Sequence, residues 1–186
     1  MKEILPRILK YGNPLLFKES QVVEDISSPE VTKIIHQMMA IVNHYQAAGI
    51  SAPQLGIPLS IAIYSVPKHS DNPKYALTPE YDPDGVPLTL MINPRLKLLG
   101  EEIIEAWEGC MSLPGMLGKV GRYKSVECEY FTSSGELIRR QVHGFHARIL
   151  QHECDHLKGI LYPMKLTEIS SFGYQDEIIA TNEFLL

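Results

Sequence analysis

Three cysteines among 186 residues are too few, and odd in number, for a disulfide-stapled scaffold. No apolar run approaches the roughly 20 residues that a membrane span requires. There is no cluster of basic residues. Lys and Arg total 17 against 22 Asp and Glu, a formal net charge of −5, so a nucleic-acid-binding surface is not indicated. The N-terminal stretch Met1-Lys2-Glu3-Ile4-Leu5-Pro6-Arg7 lacks the apolar segment of a secretory leader, and the expected location is the cytoplasm. Internal repeats are absent too. A chain of this length fits one domain with a single core, spanning residues 1–186.

What the chain does carry is Gln151-His152-Glu153-Cys154-Asp155-His156, an H-E-x-x-H string. Residues four apart on an α-helix lie one above the other on one face, so His152 and His156 can offer two imidazole nitrogens to a single ion. Glu153, beside the first of them, is placed to accept a proton from a water at that ion. The competing reading is two surface histidines on a charged helix. The apolar positions Phe145, Ile149, Leu150, Leu157 and Ile160 support a helix, and Gly159 supplies a stop.

Two histidines under-coordinate a catalytic metal, which takes three protein ligands and keeps one position open. No His or Cys follows Leu157. Upstream, Trp107-Glu108-Gly109-Cys110-Met111-Ser112-Leu113-Pro114-Gly115 sets a cysteine among turn residues, and a thiolate is a strong soft ligand. The alternative for this segment is a small buried thiol beside a turn. Cys128 lies in an alternating strand pattern and reads as a buried structural thiol. On a helix, Cys154 points about 200° away from His152 and is not expected to be a ligand.

The ordered pair E-G-C-x-S and Q-H-E-x-D-H resembles the peptide deformylase family. A third motif of that family, a glycine-rich stretch ending in Gln, is matched by Ala47-Ala48-Gly49-Ile50-Ser51-Ala52-Pro53-Gln54, and the resemblance runs from about Ile8 to Tyr174. Three positions depart from the usual pattern. Ala47 replaces a glycine, Ser51 replaces an alanine, and Met111 stands where leucine is commonest; none removes a reactive group.

The resemblance implies an α+β fold, with small mixed or antiparallel sheets packed around a central H-E-x-x-H helix. It implies hydrolysis of the formyl group from N-terminal formylmethionine on new polypeptides, at the ribosome, with release of formate. Cys110, His152 and His156 would hold one divalent ion, ferrous iron natively, with zinc, nickel or cobalt able to replace it. Glu153 would be the acid–base. The side-chain amide of Gln54 and the backbone N–H of Met111 would face the developing oxyanion. The substrate peptide would lie along Gly49, whose missing side chain lets a backbone approach. Ala48, Ile50, Trp107, Gly109 and Ile149 would border the peptide and its methionine side chain. Asp155 has two readings, a partner behind the metal ligands or a surface carboxylate. His36, His44, His69, His143 and His146 are read as ordinary histidines.

The helical spacing of Val31, Ile34, Ile35, Met38, Ile41, Val42 and Tyr45 predicts a helix over 29–47, capped by Ser28 with Pro29 at its first position. A loop or irregular strand is expected over 49–56 and a strand over 59–66. Residues 67–87, rich in Pro, Asp, Asn and Lys, read as a long exposed loop. Extended segments are expected over 88–99 and 102–107. A hairpin is expected from 119–131 and 136–142 around Thr132-Ser133-Ser134-Gly135. The apolar tail beyond Pro163 is expected to fold back on the domain. Two other functions compete with deformylation. One is general peptide hydrolysis, against which the upstream cysteine argues. The other is a non-enzymatic homologue, whose only support is Ala47.

Overall fold

The computed structural model describes residues 5–66 and 85–181. Helix α1 spans Pro29–Tyr45. The Ser28 hydroxyl accepts from the Val31 N–H at 3.2 Å, satisfying one of the donors that a helix start leaves open. The helix stops two residues short of the expected end because Gln46 turns into the left-handed region, at φ 49°. Its predicted stripe is buried at Val31, Ile34, Ile35, Met38, Ile41 and Val42.

Six strands follow among the described residues: β1 Gly49–Ser51, β2 Ile61–Val66, β3 Val86–Cys110, β4 Leu113–Phe131, β5 Leu137–His143 and β6 Phe172–Tyr174. They form one sheet in the order β1-β2-β3-β4-β5, with β6 attached to β4, and every strand pair is antiparallel. The small sheets expected from the sequence are thus joined, because β3 and β4 are long enough to belong to both ends. Helix α2, Gly144–Leu157, packs on this sheet, and a short helix α3, Gln175–Ala180, follows β6.

Strand β2 explains the layering. Ile61 and Ile63 join the apolar cluster under α1, while Ala62 and Tyr64 join the cluster under α2. Alternating side chains leave opposite faces of a strand, so β2 is buried on both sides. A third cluster, Leu16, Leu113, Val120, Leu161 and Tyr162, packs against Cys110.

The extended segments predicted over 88–99 and 102–107 are a single strand. Gly100, at φ +71°, and a register shift between Leu99 and Ile103 bend β3 without ending its pairing. In the same way β4 starts at Leu113, well before Lys119, since Cys110 pairs with Leu113 across the two-residue turn Met111-Ser112. The second hairpin is as expected, with Phe131 opposite Leu137. The tail does fold back: Phe172–Tyr174 pairs with Met116–Gly118. Most of the predicted loop, 67–84, and the last residues, 182–186, lie outside the described residues.

Candidate metal centre

The strand β5 runs directly into α2, which carries the H-E-x-x-H string and ends two residues before Gly159, at φ +70°. One turn separates His152 from His156, and their rings sit 5.0 Å apart. The β3–β4 turn brings Cys110 to the same place, with Sγ 3.3 Å from His156 Nε2. One ligand atom from each of Cys110, His152 and His156 lies within 4.8 Å of the others. One thiol and two imidazoles are the donor set of a divalent transition-metal site that leaves a position open. No other such cluster occurs among the described residues.

The electrostatics agree with that chemistry. Burial by itself would push the Cys110 thiol upward, but the neighbouring His156 and His152 outweigh it and bring the group well below the ordinary thiol range. Burial disfavours the charged form of His152, yet its bonds to Cys110 and Glu108 raise it well above an ordinary histidine. A thiolate is the metal-binding form of cysteine.

Glu108 orients the first histidine. Its Oε2 lies 2.9 Å from His152 Nδ1. Burial opposes ionisation of Glu108, but the Arg122 guanidinium holds its carboxyl far below the usual range. The carboxylate therefore accepts and Nδ1 donates, which leaves Nε2 as the nitrogen that faces the cluster. Arg122 grips both carboxylate oxygens, each at 2.9 Å, and also pairs with Asp155. Arg148 also donates to Glu108 Oε1, at 2.7 Å, and to the carbonyl of Val120 at 2.9 Å. Asp155 is therefore a buried partner of Arg122 and not a surface carboxylate. His156 Nδ1 is buried without a hydrogen-bond partner among the described residues, so this ring is held by packing and by what its Nε2 faces.

Glu153 is buried, and burial raises its carboxyl above the ordinary value despite the nearby histidines. A raised carboxyl is better matched to proton transfer near neutral pH. Gly49 meets it: a Cβ built there would overlap Glu153 Oε1 and sit 2.8 Å from Cδ. The missing side chain at 49 thus makes room for the glutamate as well as for any peptide. Gln54 has its amide turned by three contacts. Its Oε1 accepts from the Ser51 N–H at 2.9 Å, and its Nε2 faces Ser112 Oγ at 3.1 Å and Cys110 Sγ at 3.4 Å.

An open cleft of about 1070 Å³ passes over this centre. Ala48, Gly49, Gln54, Trp107, Gly109, Cys110, Met111, Ile149, His152 and Glu153 all border it, together with Ala47. Ile50 is the exception among the expected lining residues. It is fully buried under α1, because its side chain leaves β1 on the face opposite Gly49 and Ser51. Of the histidines read as ordinary, His146 sits 3.0 Å from the Tyr64 hydroxyl. Cys128 is buried beside Met91, with burial pushing its thiol up to about 12, and Cys154 is buried away from the cluster. Glu108, Arg122, Arg148 and Ser51 were given no role from the sequence. For Glu108 a signal was available: metal-bound histidines regularly lean on a carboxylate, and this one lies inside the cysteine motif.

A Cys–His–His centre flanked by a buried glutamate and open to a long cleft defines a metallohydrolase site on an α+β scaffold. The model of the polypeptide deformylase family matches residues 5–171, and the chain belongs to that family. It is 42% identical over 171 residues to peptide deformylase 1 of Nitrosomonas europaea, covering 92% of this chain and 93% of that protein. It is 36% identical over 184 residues to peptide deformylase 2 of a Nostoc species, covering 97% of each. Among solved structures, a Met-Ala-Ser-bound class I type b peptide deformylase from Acinetobacter baumannii superposes with a TM-score of 0.77 at 30% identity, over 88% of this chain and 99% of that one. The family is one of metalloenzymes. No helix among the described residues is long and apolar enough to cross a membrane.

Proposed function

We propose that this protein hydrolyses the formyl amide of N-terminal formylmethionine on newly made polypeptides, giving formate and a free amine, and that residues 1–186 act as one catalytic domain. The observation that carries the reading is the meeting of Cys110, His152 and His156 beside a buried Glu153 at the cleft floor. Family membership and the Met-Ala-Ser held by the Acinetobacter baumannii relative support it.

Cys110, His152 and His156 would hold the ion. Bound there, a divalent metal supplies Lewis-acid polarisation and lowers the pKa of water. Glu153 takes a proton from the attacking water and passes it to the leaving amine. The Gln54 amide and the Met111 backbone N–H donate to the oxygen that gains charge. Because only the backbone of Met111 is used, methionine in place of leucine is tolerated. Ala48, Trp107, Gly109 and Ile149 line the path of the first methionine and the peptide behind it. Ferrous iron fits a thiolate–imidazole set whose occupancy follows availability and geometry more than affinity order; zinc, nickel or cobalt would fit it too. The substrate emerges at the ribosome, which is where the enzyme would meet it.

Hydrolysis of formyl-Met-Ala-Ser, of acetyl-Met-Ala-Ser and of internal peptide bonds, read as formate, acetate and peptide fragments, tests the reading. Fast release from the first, far slower cleavage of the second and none of the third is the expected pattern, since the formyl carbon bears only hydrogen and a methyl there would clash. Comparable kcat/KM for formyl and acetyl peptides would overturn it. Iron-loaded protein should lose activity in air sooner than nickel-loaded protein, because a ferrous thiolate site is open to oxidation; equal half-lives would remove the case for iron.

A further inference from the structure

Ser51 departs from the alanine usual in the glycine-rich motif, and nothing in the scheme above uses it. It is fully buried at the end of β1. Its hydroxyl oxygen lies 2.6 Å from Glu153 Oε2 and 3.0 Å from the Glu153 backbone carbonyl. A serine hydroxyl has one proton to give. The shorter contact, to a carboxylate oxygen, is the stronger of the two. The other oxygen of Glu153, Oε1, lies against Gly49, where no Cβ could stand, and Gly49 borders the cleft. Two residues of one short strand thus hold the two oxygens of the glutamate in different ways. Ser51 ties one, and Gly49 makes space for the other. The Ser51 backbone N–H, at 2.9 Å from Gln54 Oε1, also turns the Gln54 NH₂ toward Cys110.

We propose that Ser51 is a positioning residue for the deformylation reaction: its hydroxyl fixes Glu153 Oε2, so that Oε1, beside Gly49, is the oxygen that carries the proton between water and the leaving amine. This rests on the reading of Glu153 as the proton carrier. A carboxylate free to rotate presents either oxygen at varying angles. One anchored at Oε2 presents Oε1 in a single direction, and proton transfer depends steeply on such alignment. The same hydroxyl also lies 3.0 Å from the Glu153 carbonyl, a contact that would tie β1 to the α2 backbone. That role would serve stability and would be indifferent to the glutamate side chain.

A double-mutant cycle separates the two. The nickel-loaded full-length protein, Ser51→Ala, Glu153→Ala and the double variant are assayed for formate release from formyl-Met-Ala-Ser, with metal content and Tm measured on each. Alanine is the motif's usual residue at this position, so Ser51→Ala is expected to fold and to keep its metal. Its kcat should fall about tenfold with KM nearly unchanged, the scale of one hydrogen bond to a charged group. In the Glu153→Ala background the same change should alter kcat by less than about twofold, because the partner is gone. A Ser51→Ala variant with parental kcat overturns the proposal. So does an equal loss in both backgrounds, which is the signature of the tie between β1 and the α2 backbone. If Glu153→Ala itself keeps its kcat, the reading of Glu153 fails and the proposal falls with it.

Discussion

Helices α1 and α2 are both packed into the interior, but by different means. Helix α1 presents six apolar side chains to the core and leaves its other side to solvent. Helix α2 has eleven of its fourteen residues buried, and those include His146, Arg148, Gln151, Glu153, Asp155 and His156. Burying that many polar groups is costly unless each finds a partner. Here Tyr64 of β2 meets His146, Ser51 of β1 meets Glu153, and the other partners come from β3 and β4. Glu108 and Arg122 take up His152, Arg148 and Asp155, while Gln151 spans the backbone of Tyr123, accepting its N–H at 3.0 Å and donating to its carbonyl at 2.8 Å. The first helix is held by area removed from water. The second buries Ala147, Leu150 and Leu157 as well, but is held in addition by a charge network that also aims its histidines. Stability and chemistry should therefore separate when the two are perturbed.

The largest effect is expected at the α2 end. Cys110→Ala should lose nearly all bound metal on dialysis, and activity with it, since two imidazoles alone make a weak site. Metal analysis reads this directly, with Cys154→Ala and Cys128→Ala keeping theirs. Full stoichiometry in Cys110→Ala would show that the third ligand lies elsewhere. Next comes α1. Met38 is fully buried in the core, and Met38→Ala should cost about 2–5 kcal/mol in urea unfolding while kcat/KM per folded molecule stays close to the parent. A matching collapse of kcat/KM would mean that the two helices are not separable.

Glu108→Gln should act more gently and the other way round. The amide cannot match the carboxylate as acceptor for His152, and metal affinity should weaken by about 10–100-fold, as read by competition with a chelator. The same variant has a pH signature. A carboxyl held far below its ordinary 4.5 by Arg122, against the opposing effect of burial, stabilises the fold above that value and loses its contribution as pH falls through the native value. The parent should therefore lose stability as acid is added below about pH 4.5, and Glu108→Gln should lack that part of the slope. Identical acid profiles would remove Glu108 from the network's energetics.

The two helices also differ in how far they could be read from the chain. Periodicity revealed α1, cap and stripe included, because apolar burial writes itself at 3.6-residue spacing. Helix α2 was legible through its metal spacing, and Cys110 through its turn residues and the family resemblance. The network behind them was not. Arg122 lies fourteen residues from Glu108 and thirty-three from Asp155, and only strand register brings them together. The register of β3 on β4 depends on a bend at Gly100 that the sequence presents as a break. The direction of the Ile50 side chain was illegible for a related reason: a three-residue strand shows no alternation from which to choose a face. Gly49 was understood in part, since its contact with Glu153 exists only once α2 lies against β1.

Glu153, and not merely the ligand set, is proposed to perform the proton transfers of formyl hydrolysis. The most direct measurement is single-variant kinetics on metal-loaded Glu153→Ala, with bound metal and formate release from formyl-Met-Ala-Ser quantified on the same sample. Full metal stoichiometry with kcat reduced by about a hundredfold or more is the expected result; a fully loaded variant with near-parental kcat would contradict it.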